Sequence, residues 1–157
     1  MNKGIKAEEE FRKWLDEKNI PYLQISNAPG TLSIALKGKE VRRPDFLIFV
    51  RPFLGIIMVD VQDRKIEEGK IIIDKDETWA YIRFERESRL PVWYAISNKG
   101  RKYKEWYWIP VSKVIEVSEE KVSRRYGPFY KVDIEHFALI RARDRNPLSK
   151  LFETEER

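Results

Sequence analysis

Two runs decide how the chain is to be read: Arg42-Arg43-Pro44-Asp45-Phe46-Leu47-Ile48-Phe49-Val50 and Gly55-Ile56-Ile57-Met58-Val59-Asp60-Val61-Gln62, joined by Arg51-Pro52-Phe53-Leu54. Both are rich in β-branched and aromatic residues, and a Pro-containing link between them predicts a hairpin. With Arg51–Leu54 as the loop, Val50 pairs with Gly55, and counting back along both strands sets Asp45 opposite Asp60. Directly opposed residues have β-carbons about 4.5–5.5 Å apart, where like charges repel. Two carboxylates held together in an apolar hairpin call for a compensating cation, and hard oxygen donors suit Mg²⁺. Alternation sends Asp60 and Gln62 to one face of their strand and Val59 and Val61 to the other.

The rest of the composition narrows the classes. A chain of 157 residues, 42% hydrophobic and 13% aromatic, is long enough to bury a core without covalent staples. It has no cysteine, which excludes disulfides and thiolate zinc sites. No apolar run approaches the roughly 20 residues of a membrane helix, and the N-terminus lacks a signal-peptide core. A soluble, cytoplasmic protein with no membrane partner is therefore expected. The net charge of +5 is compatible with a polyanionic partner without requiring one. No phosphate-binding Gly loop, dinucleotide fingerprint or GxSxG elbow is present.

Outward from the hairpin, Ala7, Phe11, Trp14, Leu15 and Lys18 recur at helical spacing and predict a helix over 7–18 that stops at Asn19, ahead of Pro21. Strands are expected over 22–26 and 31–36, with a turn at Asn27-Ala28-Pro29-Gly30 between them and a basic loop over 37–43. A charged connection over 63–69 leads to Lys70-Ile71-Ile72-Ile73. Asp74 or Asp76 then caps a second helix that ends near Leu90, with Ala80, Tyr81, Phe84 and Ser88 on one face. Strands are expected over 92–97, 105–110, 114–117 and 129–134, with a strand or short helix over 134–141 and a loosely held charged tail from Arg141. Such an order suits a mixed sheet flanked by helices.

Pro44-Asp45, followed after a short hairpin by Asp60-Val61-Gln62, resembles the PD-(D/E)xK nuclease superfamily. The preceding helix with Glu8, the helix after the second acid, and the strand Pro91-Val92-Trp93-Tyr94-Ala95-Ile96 extend the likeness. Lys3-Gly4, Glu8 and Phe11 resemble the first helix of its archaeal-type Holliday junction resolvase and VRR-nuclease branch. The resemblance spans about residues 3–110. It implies an α/β fold, a restriction-endonuclease-like mixed β-sheet flanked by α-helices. On that basis residues 1–117 form the nuclease-like core, and 118–157 an extension packed on it with a charged flexible tail.

The resemblance also implies a metal-dependent endonuclease hydrolysing phosphodiester bonds in DNA, with branched or structured DNA as substrate, and a homodimer if it resolves junctions. Asp45 and Asp60 would hold Mg²⁺ (or Mn²⁺) with the backbone carbonyl of Val61, and Glu8 would join them from the first helix, Glu9 and Glu10 being the alternatives. One departure stands out: Gln62 occupies the position of the family's lysine, and Gln carries no charge and cannot act as acid or base. Lys37, Lys39 and Lys65 are the nearest lysines in sequence, and in the hairpin register Arg43 falls opposite Gln62. These, with Arg42 and Arg64, are the expected nucleic-acid contacts. The alternative is a catalytically impaired nuclease-fold protein that binds nucleic acid or a protein partner. His136 lacks ligand spacing, and Trp106, Tyr107 and Trp108 are expected mainly in the core.

Overall fold

Ala7, Phe11, Trp14 and Leu15 are all buried on one face of helix α1 (Lys3–Glu17), as their spacing requires. Asn19 stops the helix in the left-handed region, at φ 54°, a conformation that asparagine tolerates better than most residues. The computed structural model describes residues 3–50, 55–98, 102–125 and 127–152. The expected hairpin loop Arg51–Leu54 lies outside them, as do parts of the turns at 98–100 and 126–128 and the last five residues of the tail.

The main sheet begins with β1 (Tyr22–Gln24), β2 (Phe46–Val50) and β3 (Gly55–Arg64). Val50 pairs with Gly55 and Phe46 with Val59, the register expected from the sequence. A short helix α2 (Ile34–Lys37) lies between β1 and β2 where a strand over 31–36 was expected. Ser33 caps it by accepting the Leu36 N–H at 3.3 Å, and Ile34 is 88% exposed. An apolar residue with no sheet to bury against leaves the local capping bond to decide the conformation.

After β3 the chain runs through β4 (Lys70–Asp74) into helix α3 (Lys75–Ser88) and returns as β5 (Val92–Asn98), parallel to β3. Asp74 caps α3 by accepting the Glu77 N–H at 2.8 Å. The buried residues of α3 are Thr78, Tyr81 and Ile82, with Phe84 packed against the same cluster; of the expected face, Tyr81 and Phe84 point inward, and Thr78 and Ile82 complete it rather than Ala80 and Ser88. β6 (Glu105–Pro110) follows antiparallel to β5, then helix α4 (Val111–Val117), where a strand over 114–117 was expected. Val111 and Val114 are buried three residues apart, one helical turn, and this burial outweighs the strand preference of valine.

The C-terminal part completes two sheets. β7 (Glu119–Ser123) and β8 (Gly127–Asp133) join β4 in a small antiparallel sheet of order β4-β8-β7. A 3₁₀ turn at Ile134–His136 leads into β9 (Ala138–Arg141), so the segment expected as strand or helix is one after the other. β9 adds to β6 and gives the main sheet the order β1-β2-β3-β5-β6-β9. A last 3₁₀ segment, Pro147–Phe152, buries Pro147 and Leu151, so the tail from Arg141 to Phe152 is anchored rather than loose.

The sheet is covered on both faces. Toward α1, Phe11 packs with ring centroids 5.1 Å from Trp106, 5.4 Å from Phe46 and 5.6 Å from Trp108. Trp106 and Trp108 are thus core, as expected, and Tyr107 packs against Phe137 on the opposite face. Toward α3 and α4, Met58, Tyr81, Tyr94, Ile96, Val111 and Val114 form a second cluster. No described helix is long and apolar enough to cross a membrane.

Candidate metal and phosphate site

β3 is buried on both faces, and its alternation sorts its side chains. Ile57, Val59 and Val61 pack toward α1, while Asp60 and Gln62 contact side chains of α3. The β2–β3 ladder ends at Phe46 because Pro44 has no N–H to continue it. One step beyond that end, Asp45 and Asp60 meet at the floor of an open cleft of about 380 Å³. They are only 8% and 4% exposed, and Gln62 is 8% exposed.

Hydrogen bonds fix each group. The Val61 N–H donates to Asp45 Oδ2 at 2.7 Å. Because the N–H and C=O of a strand residue point the same way, the Val61 carbonyl also faces the side that β2 has vacated. The Tyr81 hydroxyl donates to Asp60 Oδ1 at 2.5 Å. Gln62 Nε2 donates to Asp60 Oδ2 at 2.8 Å and to Glu77 Oε1 at 2.7 Å, and its Oε1 accepts from Arg64 Nε at 3.0 Å. Arg42 Nε donates to Tyr81 Oη at 3.2 Å and lies 3.6 Å from Glu77 Oε1.

The electrostatics follow from burial of acids beside acids. Burial pushes Asp60 up to about 8, with the Asp45 charge adding to it and the bonds from Tyr81 and Gln62 opposing. Burial likewise raises Asp45 to about 6, opposed by the Val61 N–H and assisted by the Glu8 charge. Glu77 rises to about 7 through burial and the Asp60 charge, with Arg42 and Arg64 opposing. A group of carboxylates that resists ionisation in this way is one that a cation would stabilise.

Glu8 lines the same cleft from α1, its Oε1 accepting from Gln24 Nε2 at 3.1 Å. Among the described residues no three His, Asp or Glu side chains form a ready cage for a metal ion. The donors nevertheless fit Mg²⁺ or Mn²⁺. Two paired carboxylates, with Glu8 at the rim and a carbonyl on the same side, offer hard oxygens only, and Mg²⁺ is commonly held by one or two carboxylates with water and phosphate completing the shell.

Of the basic residues expected to contact nucleic acid, Arg42 and Arg64 are brought to the cleft. Arg43 lines an adjoining hollow of about 260 Å³ with Asp45 and Asp60, but it is not opposite Gln62: the strand stops short of it, and its guanidinium donates to Thr31 Oγ1. Lys39 pairs with Glu87 at 3.7 Å and Lys65 with Glu67 at 3.5 Å, both on the surface, and Lys37 ends α2. None of the three lysines therefore replaces Gln62. Glu77 and Tyr81 were not legible as site residues from α3 periodicity alone. The available signal was an acid and a tyrosine four residues apart behind the cap Asp74, facing the strand face that carries Asp60.

The geometry can be set beside known structures. A Holliday junction resolvase, Hjc from the archaeal hyperthermophile Archaeoglobus fulgidus, superposes with a TM-score of 0.55 over 85% of this chain and 91% of its own. The chain has the restriction-endonuclease-like fold. At 16% identity the likeness is one of fold, and it covers a larger share of the chain than residues 3–110. No family model matches the sequence, and neither does any curated protein.

Proposed function

We propose that the protein is a metal-dependent endonuclease that hydrolyses phosphodiester bonds in DNA, with branched DNA as the substrate shape. The observation that carries this is the facing Asp45–Asp60 pair, buried at the floor of a cleft at the open end of β2. The likeness to a resolvase supports the fold and suggests the junction. A homodimer with two such sites would cut both strands of one.

Asp45, Asp60 and the Val61 carbonyl are the proposed ligands of Mg²⁺ or Mn²⁺, with Glu8 joining directly or through water. When bound, the ion supplies Lewis acidity at the phosphate and acidifies water near it. The protein holds those oxygens still: Val61 N–H anchors Asp45, and Tyr81 with Gln62 anchors Asp60. Water oxygen bonds to phosphorus as one P–O ester bond breaks. The departing oxygen takes up a proton, leaving a phosphomonoester and an alcohol.

A second reading is favoured by one observation. The Gln62 amide is fully engaged with Asp60, Glu77 and Arg64, and it brings no charge to the phosphate. A protein with this fold that binds nucleic acid or a protein partner without cutting would look the same. The test is cleavage of labelled linear, flapped and four-way DNA with Mg²⁺ or Mn²⁺. The expected result is cleavage that Asp45→Asn or Asp60→Asn abolishes. If the parent is inert on all of them and Gln62→Lys creates activity, the second reading holds.

A further inference from the structure

Phosphodiester hydrolysis gathers negative charge at phosphorus, and the site itself is acidic. Asp45, Asp60 and Glu77 carry three negative charges when ionised. A single divalent cation leaves one of them uncompensated beside an anionic phosphate. Positive charge placed before the reaction begins is what lowers such a barrier most. Gln62 cannot supply it, because the group is neutral and its amide is already engaged.

We propose that Arg42 supplies this charge, gripping the phosphate from the loop before β2, with Glu77 and Tyr81 of α3 as the positioning residues that hold its guanidinium. This rests on the endonuclease reading above. Arg42 borders the cleft of about 380 Å³ and also the adjoining hollow of about 260 Å³, and both contain Asp45 and Asp60. Within the guanidinium, the hydrogen bond to Tyr81 and the approach to Glu77 are both made by Nε. The two Nη groups are left as a fork that matches two oxygens of one phosphate. The side chain is 57% exposed, so a ligand can reach it, and its Cζ lies over the Tyr81 ring, 5.9 Å from the centroid, which steadies the guanidinium.

Arg64 is the rival cation and fits less well. It borders only the first of these hollows, and its Nε is occupied by Gln62 Oε1. The charge of Arg42 acts on Asp45 and Glu77, and Arg42 itself feels the Asp60 charge, whereas Arg64 acts on Glu77. Sequence alternation favoured Arg43, but its guanidinium is spent on Thr31, whereas Arg42 is the one held against Tyr81 and Glu77.

The geometry also supplies a rescue. Gln62 Nε2 sits 2.8 Å from Asp60 and 2.7 Å from Glu77, so a lysine ammonium placed there would find two carboxylates ready for it. Single-turnover cleavage by the full chain is measured with saturating DNA and Mg²⁺, alongside DNA affinity in Ca²⁺ and the thermal midpoint of each variant. Arg42→Gln is expected to slow cleavage by about 100-fold or more while DNA affinity changes less than about three-fold. Lys13→Gln, on the solvent side of α1 and 61% exposed, is expected to change the rate by less than about three-fold. Arg42→Gln combined with Gln62→Lys should regain at least about ten-fold, which a purely structural role for Arg42 would not allow. Arg42→Gln cutting within about three-fold of wild type overturns the proposal, as does a loss that Gln62→Lys does not relieve. A wild type that cuts no substrate removes the endonuclease reading and this inference with it, whereas an active wild type with an indifferent Arg42→Gln removes this inference alone.

Discussion

The two faces of β3 are built on opposite principles from alternate residues of one strand. Toward α1, Val59 and Val61 meet Phe11, Trp106 and Trp108 in a wholly apolar layer. Toward α3, Asp60 and Gln62 meet Tyr81, Glu77 and the edge of Arg42 in a layer whose every polar group named above has a partner. The first face makes the sheet rigid. The second spends that rigidity on holding carboxylates where they repel one another. Because the strand period is two, neither face can be altered by sliding β3 without destroying the other.

The largest expected effect that separates them is on the apolar face. Phe11→Ala removes a ring that touches Trp14, Phe46, Trp106 and Trp108. It should cost about 3–5 kcal/mol in denaturant unfolding. A cost under about 1 kcal/mol would mean that α1 is not the lid of this core.

How much of this could be seen in the sequence differs between the two faces in the same way. The α1 face and the hairpin register were legible, because both rest on strict periodicity: Ala7, Phe11, Trp14 and Leu15 at helical spacing, and the count that sets Val50 against Gly55. Asp45 beside Asp60 follows from that count. What was not legible depends on contacts between elements distant in sequence. Thr31–Leu36 and Val114–Val117 carry strand-forming residues, yet a serine cap turns the first into a helix from Ile34, and the burial of Val111 with Val114 makes the second helical. The choice between Arg42 and Arg43 turns on where the ladder breaks, and Glu77 enters only once the Asp74 cap sets the phase of α3.

A smaller effect probes the polar face by itself. The Asp45 and Asp60 carboxyls are raised in the folded protein to about 6 and about 8, against the ordinary carboxylate range of the unfolded chain. The native state therefore holds protons that the unfolded chain has already released. Stability contributed by these groups is present at low pH and is lost as pH rises from about 4 to about 8. In chelator the thermal midpoint should be lower at pH 8 than at pH 5 by at least about 3 °C, the shift worth roughly 1 kcal/mol at this chain length. Asp60→Asn should flatten that slope, and Mg²⁺ at pH 8 should raise the midpoint of wild type but not of the variant. A slope unchanged by Asp60→Asn would break the link between this face and the pH dependence.

The proposed mechanism requires a divalent cation between Asp45 and Asp60, and Mn²⁺ would make it directly visible. Crystals grown with Mn²⁺ at pH 8 should give one anomalous peak within coordination distance, about 2.0–2.3 Å, of both carboxylates, and the peak should vanish in Asp45→Asn. A peak elsewhere, or none beside these two acids at saturating Mn²⁺, would contradict it.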